Sequence, residues 1–311
     1  MKNKERSGII AGLLSGILWG ADTHYNGVIL MMLPFTLVDP RLAGAALLLA
    51  LFHDGFSALM MTGELVRQGQ LKQTVKQLTS KSSYVVMLAA VLGGPMGMRA
   101  YLYAVDAIGA GLTASISSMY PVVAAFLGML ILKEKITKPV WIGLGLAVLA
   151  VLGVSLSGDM MQSNAQLIGF LVAFLSVVGW SLESVICSIG MKEDLNPKQA
   201  LWIRQCVSTL VYLGFITFES DLVFSVTAVM SQPVLWLILG VAVLGTLSYL
   251  NFYRAIDTIG PVKATALNIS YAIWAIVFSI LLGGAEFNPI LLLSAALMIV
   301  SSVLVSQHEG A

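Results

Sequence analysis

Long apolar stretches, each broken by a short polar or turn-forming cluster, run through the whole chain. Ten of them approach or exceed the roughly 20 residues that a bilayer-spanning helix needs: 7–33, 41–63, 84–105, 109–132, 139–157, 166–190, 199–218, 233–256, 261–283 and 289–306. The breaks carry helix-stopping punctuation: Pro34 with Asp39-Pro40, Lys133-Glu134-Lys135, Gly158-Asp159, Asn196-Pro197, Gln232-Pro233, Gly260-Pro261 and Asn288-Pro289. Pro121 is placed to bend the fourth stretch, and Gly93-Gly94-Pro95-Met96-Gly97 to weaken and kink the third. The charged N-terminus, MKNKERS, resembles the front of a signal peptide. Its apolar run continues past Trp19 with no small-residue cleavage site, so it reads as a first transmembrane helix. The pattern predicts an all-α polytopic membrane protein of about ten helices.

The pattern also repeats. YLYAVDAIGAGLTASISSMY, from Tyr101 to Tyr120, aligns with FYRAIDTIGPVKATALNISY, from Phe252 to Tyr271. Ala104 falls on Ala255, Asp106 on Asp257, Ile108 on Ile259, Gly109 on Gly260 and Tyr120 on Tyr271. A second correspondence sets Trp19-x-x-Asp22 over Trp180-x-x-Glu183, with a longer basic loop at about 64–83 accounting for the different shift. Two repeats, 1–158 and 159–311, would each hold five spans, an odd number, so the second copy is expected to be inverted. Inverted repeats are a signature of secondary transporters, whose substrate site lies near the midplane between halves.

Composition and charge sharpen this picture. Of 311 residues, 58% are hydrophobic and 11% charged, too apolar for one soluble core. Net charge is +1, which gives no argument for nucleic acid. Thirteen of the 17 lysines and arginines fall on the side shared with the N-terminus, only Arg41 on the other, and Arg99, Arg204 and Arg254 inside spans. By the positive-inside rule both termini are expected in the cytoplasm, in the inner membrane. Cys187 and Cys206 lack metal-ligand or redox spacing and read as packing residues. No Walker motif, metal spacing or Ser/His/Asp set is present, so neither ATP-driven pumping, a cofactor nor catalysis is expected.

Candidate chemistry lies in the polar residues deep inside spans: Asp22, His24, His53, Asp54, Arg99, Glu183, Arg204 and Arg254. Such residues usually face a cavity or a partner. Glu183 shares a helix face with Trp180 three residues earlier, and a carboxylate beside an indole suits a desolvated organic cation. The alternative is a glutamate paired with Arg204 or Arg254 and a tryptophan that merely packs. Trp19 and Asp22 form the repeat-related pair, with Trp19 near mid-depth, away from the interfaces tryptophans prefer. Tyr249 and Tyr253 share a face of the eighth span; Asn268, Tyr271 and Trp274 form a stripe on the ninth. Aromatics from four spans at one depth suit an aromatic cage for a quaternary ammonium group. His53 and Asp54 are candidates for handling protons, or else simple interhelical hydrogen-bonding groups.

Several stretches, GGPMGMRAYLYAVDAIG, SSMYP, GWSLESV, WIRQ and KATALNISYAIW, together resemble the EamA-like branch of the drug/metabolite transporter superfamily. Within it, the chain is similar to LicB-type choline permeases. That resemblance implies a proton-linked or facilitated importer of choline. It also implies a cage of Trp19, Trp180, Tyr253 and Tyr271 with Glu183 near the ammonium, and Asp22, His53, Asp54 and Asn268 are candidates for a secondary or coupling site. Competing expectations are an exporter of amino acids, nucleobases or drugs on the same fold, and a non-transporting membrane scaffold or enzyme subunit.

Overall fold

The computed structural model describes residues 2–38, 44–132, 138–156, 164–218, 220–283 and 286–306. Arg41 and the expected breaks at Asp39-Pro40, 133–135 and Gly158-Asp159 lie outside the described residues, as does the junction between the two expected repeats. The described residues form helices and no strand: α1 (Lys2–Leu30), α2 (Gly44–Arg67), α3 (Leu71–Gln77), α4 (Lys81–Val91), α5 (Arg99–Ile108), α6 (Ala110–Ser117), α7 (Tyr120–Leu132), α8 (Lys138–Leu156), α9 (Asn164–Glu193), α10 (Pro197–Thr217), α11 (Ser220–Met230), α12 (Val234–Ile259), α13 (Pro261–Asn268), α14 (Tyr271–Gly283) and α15 (Pro289–Ser306).

Among the described residues seven helical segments are long and apolar enough to cross a membrane, including Lys81–Ile108 and Pro261–Gly283, which makes this a multi-pass membrane protein. The remaining expected spans fall on α1, α8 and α15. α1 is 29 residues long but polar along one side, with Asp22, Thr23 and Asn26 all buried against other helices. α3 and α11 occupy segments expected to be loops.

The glycine-proline cluster of the third stretch is a π-helical segment, Leu92–Met98, joining α4 to α5. Its bonding runs from residue i to i−5, and Pro95, which has no N–H, can donate no bond within it. Just before it, the Ala90 carbonyl accepts the Ser208 hydroxyl over 3.4 Å.

A broken helix occurs twice. α6 and α7 have 8 and 13 residues, and so have α13 and α14. Gly109 and Gly260, matched in the sequence, cap the preceding helices with φ 83° and 82°. That left-handed conformation costs glycine nothing and a Cβ-bearing residue a good deal. The matched residues thus reproduce backbone conformation as well as sequence.

α1 packs along α12, α13 and α14 through Gly8, Gly12, Gly16 and Gly20. A Cβ at these positions would collide with Ile259, Leu267, Ser270 and Trp274 respectively. Small residues at four-residue spacing let helix backbones approach closely, and this seam holds Trp19 and Asp22 against the later half of the chain. At one end of the bundle Lys198 reaches Glu64 at 2.6 Å, and the Gln199 amide donates to Thr74 and Gln77. The basic 64–81 and 192–198 segments therefore share one face of the protein.

Candidate functional site

A cavity of about 30 Å³ lies at mid-bundle, lined by Trp19, Tyr120, Trp180, Glu183, Ser248, Tyr249, Phe252 and Asn268. Its walls come from α1, α7, α9, α12 and α13, so no single stretch of chain builds it. The two indoles meet edge to face with centroids 5.7 Å apart. Tyr249 stands 5.1 Å from Trp19, and Tyr120 lies 6.0 Å from Trp180 and 6.4 Å from Phe252. These edge-to-face contacts close the box on itself and leave room for about two waters.

Glu183 is anchored from behind. Its Oε1 accepts from Arg204 Nε at 3.1 Å and from the Tyr253 hydroxyl at 2.8 Å. Oε2 takes no hydrogen bond among the described residues and faces Gly93, where a Cβ would overlap the carboxylate. Trp180 is fixed by the same π segment: its indole N–H donates to the Gly93 carbonyl at 3.2 Å, and a Cβ on Gly97 would press on the ring. The glycines of Leu92–Met98 thus give both residues their place.

Arg204 is fully buried and spends its donors on protein groups: Glu183, Asp54 at 2.6 Å, Gln205 at 2.6 Å and the Tyr249 hydroxyl at 2.8 Å. Its guanidinium also lies 4.4 Å from the Tyr249 ring centroid. The expected alternative for Glu183, an ion pair with Arg204, is therefore present, but Arg204 is not among the cavity-lining residues. Arg254 is exposed rather than deep in the bundle.

The network continues from Asp54 to His53 Nδ1 at 3.1 Å, and from His53 Nε2 to Asp22 at 2.9 Å. Asn26 donates to the other Asp22 oxygen at 2.7 Å. The His53 ring and Asp22 fit because position 245 is glycine; a Cβ there would strike both. The buried set holds three carboxyl groups, Asp22, Asp54 and Glu183, against one arginine and one histidine.

Of the expected cage, Trp19 and Trp180 line the cavity with Glu183, while Tyr253 and Tyr271 do not. Tyr253 sits behind Glu183, holding Oε1 and accepting from the Cys187 thiol at 3.4 Å. Tyr271 is bonded to Ser117 at 2.7 Å. Their places on the walls are taken by Tyr120, Tyr249 and Phe252. Asn268 lines the cavity and accepts the Tyr120 hydroxyl at 2.7 Å, while its amide donates to Ser15 at 2.8 Å. Ser248 and Phe252 are additions. The repeat alignment points to one of these walls, since Tyr120 is the counterpart of Tyr271 of the expected cage.

Comparison with known proteins agrees with this architecture. The sequence pattern of the EamA-like transporter family matches residues 6–156 and again 167–307. The chain is 32% identical to Protein LicB of Haemophilus influenzae over 97% of this chain and 98% of that protein. It is 23% identical to the riboflavin transporter ImpX of Fusobacterium nucleatum over 92% of this chain and 99% of that one. A protein of known crystal structure, at 15% identity, shares the fold with a TM-score of 0.62 over 97% of each chain. The chain belongs to the EamA-like transporter family.

Proposed function

We propose that this protein is a secondary transporter that imports choline or a related quaternary ammonium compound by alternating access, coupled to protons. The observation that carries the reading is the pairing of ring faces with one carboxylate in a single buried cavity. A trimethylammonium head has no N–H to donate, so it is recognised by aromatic faces and by net field rather than by hydrogen bonds. Trp19, Trp180, Tyr120, Tyr249 and Phe252 supply the faces and Glu183 the field, with Oε2 left for the ligand. Tyr253 positions Glu183, and Tyr271 stands outside the box. A zwitterion would also need a free cation in the cavity, and Arg204 is committed to Glu183, Asp54, Gln205 and Tyr249.

In this reading Asp22, His53 and Asp54 handle the coupled proton, linked to Glu183 through Arg204. The chain crosses the inner membrane ten times as two inverted five-helix repeats, residues 1–158 and 159–311, with both termini cytoplasmic. The doubled family match and the two equal broken helices support the repeats. The shared face of the 64–81 and 192–198 segments supports the orientation.

A second reading is favoured by the Fusobacterium relative and by Ser248 and Asn268, whose polar groups suit a neutral heterocycle stacked between rings. Titration of the purified protein with choline, riboflavin, amino acids and simple amines separates the two. Saturable choline binding with no response to riboflavin supports the cation reading; the reverse overturns it.

A further inference from the structure

A second and larger cavity, 440 Å³, opens near the end of the bundle away from the Glu64–Lys198 contact. Gly27, Val105, Gly111, Ile276 and Glu286 are among the residues that line it. We propose that it is the antechamber of the buried pocket, and that the hydroxyl pairs Thr23–Tyr101 and Ser117–Tyr271 are the partition a substrate must part to pass between them. The proposal rests on the reading of the buried cavity as the substrate site.

Pocket, hydroxyl and antechamber residues follow one another in order along the helices. On α1, Trp19 lines the pocket, Thr23 is one turn on, and Gly27 lines the antechamber another turn on. Residues four apart share a helix face, so these three form one stripe. On α5, Tyr101 rests against Trp19 and Trp180 at centroid distances of 6.2 and 4.8 Å, and Val105 one turn later lines the antechamber. Along α6 and α7 the order is Gly111, Ser117, Tyr120; along α14 and α13 it is Ile276, Tyr271, Asn268. Each path runs from antechamber to hydroxyl to pocket.

The hydroxyls bond each other in that layer. Thr23 and Tyr101 are 2.7 Å apart, as are Ser117 and Tyr271, and all four residues are fully buried. Ser117 already donates to the Thr113 carbonyl at 2.6 Å, so the Tyr271 hydroxyl is the donor of its pair. The Ser117–Tyr271 bond also joins the two segments matched by the family pattern. Neutral hydroxyl pairs suit a partition that must open often, because separating one forfeits a single modest bond, whereas an ion pair would hold or trap a passing cation. Among the described residues Glu286 is the one carboxylate lining the antechamber and neither lysine nor arginine lines it, so none of them sets a barrier of like charge against an organic cation.

The test uses the full-length protein with Cys187→Ser and Cys206→Ser, and Ser248→Cys as a reporter on the pocket wall. The probe is a methanethiosulfonate bearing a trimethylammonium group, and the readout is its rate of reaction. Tyr101→Phe and Tyr271→Phe, which keep the ring and remove the bond, are each expected to raise the rate about fivefold. Thr62→Val removes the hydroxyl that accepts the Trp202 indole N–H at 2.8 Å elsewhere in the bundle, and should leave the rate alone. Gly27→Leu, projecting into the antechamber, should slow it. Unchanged rates in both tyrosine variants, an equal rise in Thr62→Val, or no slowing by Gly27→Leu would each overturn the proposal. Absence of choline binding by the wild type would defeat the substrate reading and leave this assay standing, since the probe reports without choline.

Discussion

Arg204 stands directly behind Glu183, its Nε donating to Oε1 over 3.1 Å while Nη1 holds Asp54 at 2.6 Å. One guanidinium thus compensates two buried carboxylates on different helices, and the carboxylate nearest the cavity is only partly neutralised.

Removing that guanidinium strands both partners. Breaking a buried pair from one side costs about 3–5 kcal/mol, so Arg204→Met is expected to lower the melting temperature of the purified protein sharply. Adding Asp54→Asn should recover part of the loss, because one uncompensated charge goes with it. Equal melting of Arg204→Met and wild type would show that the network does not stabilise the bundle.

Gly93 gives a sharper test of how the site is positioned. Overpacking at such a contact costs about 1–3 kcal/mol, and in Gly93→Ala the new methyl displaces the Glu183 carboxylate. Choline binding should weaken, and Glu183→Asp in the same background, one methylene shorter, should restore part of it. If Glu183→Asp weakens binding equally in both backgrounds, the contact is not what places the carboxylate.

His53 is bonded on both ring nitrogens, to Asp54 and to Asp22. His53→Gln keeps hydrogen-bonding groups and removes the titratable ring. In proteoliposomes, choline accumulation driven by an imposed pH gradient should be lost while equilibrium binding persists. Gradient-driven accumulation at the wild-type level would place the proton path elsewhere.

Orientation is tested with reporters at the C-terminus and within the 64–83 segment. Both should be cytoplasmic, since the lysines and arginines gather on that side. An external location for either in a functional fusion would break the ten-span arrangement.

Trp19, Trp180 and Glu183 are legible in sequence because an indole or a charge at mid-depth is costly unless it faces a cavity or a partner. Gly109 and Gly260 are legible because the repeat pairs them and both need positive φ. Helix rotation is less so. Tyr249 and Tyr253 share a face by spacing, yet Tyr249 lines the cavity and Tyr253 lies a turn further on, behind Glu183. The Asp22–His53 and Asp54–Arg204 contacts join different helices, and helical periodicity carries no information about which helices meet. The glycines at 8, 12, 16 and 20 do carry a readable four-residue spacing, though it is independent of the polar and aromatic pattern that marks the site. α3 and α11 escape because seven and eleven residues fall short of any spanning signal.

In the proposed function Glu183 compensates the charge of a cation boxed by Trp19 and Trp180. The direct measurement is titration of purified wild type, Glu183→Gln and Trp180→Ala with choline and with its neutral tert-butyl isostere. Trp180→Ala should cost about 0.5–2 kcal/mol from the lost cation–π contact, and more for lost packing. Glu183→Gln keeps the shape and removes the charge; it should weaken choline about 30-fold, as truncating a desolvated charge pair does, and barely alter the isostere. Choline binding to Glu183→Gln as tightly as to wild type would show that Glu183 does not balance the cation's charge.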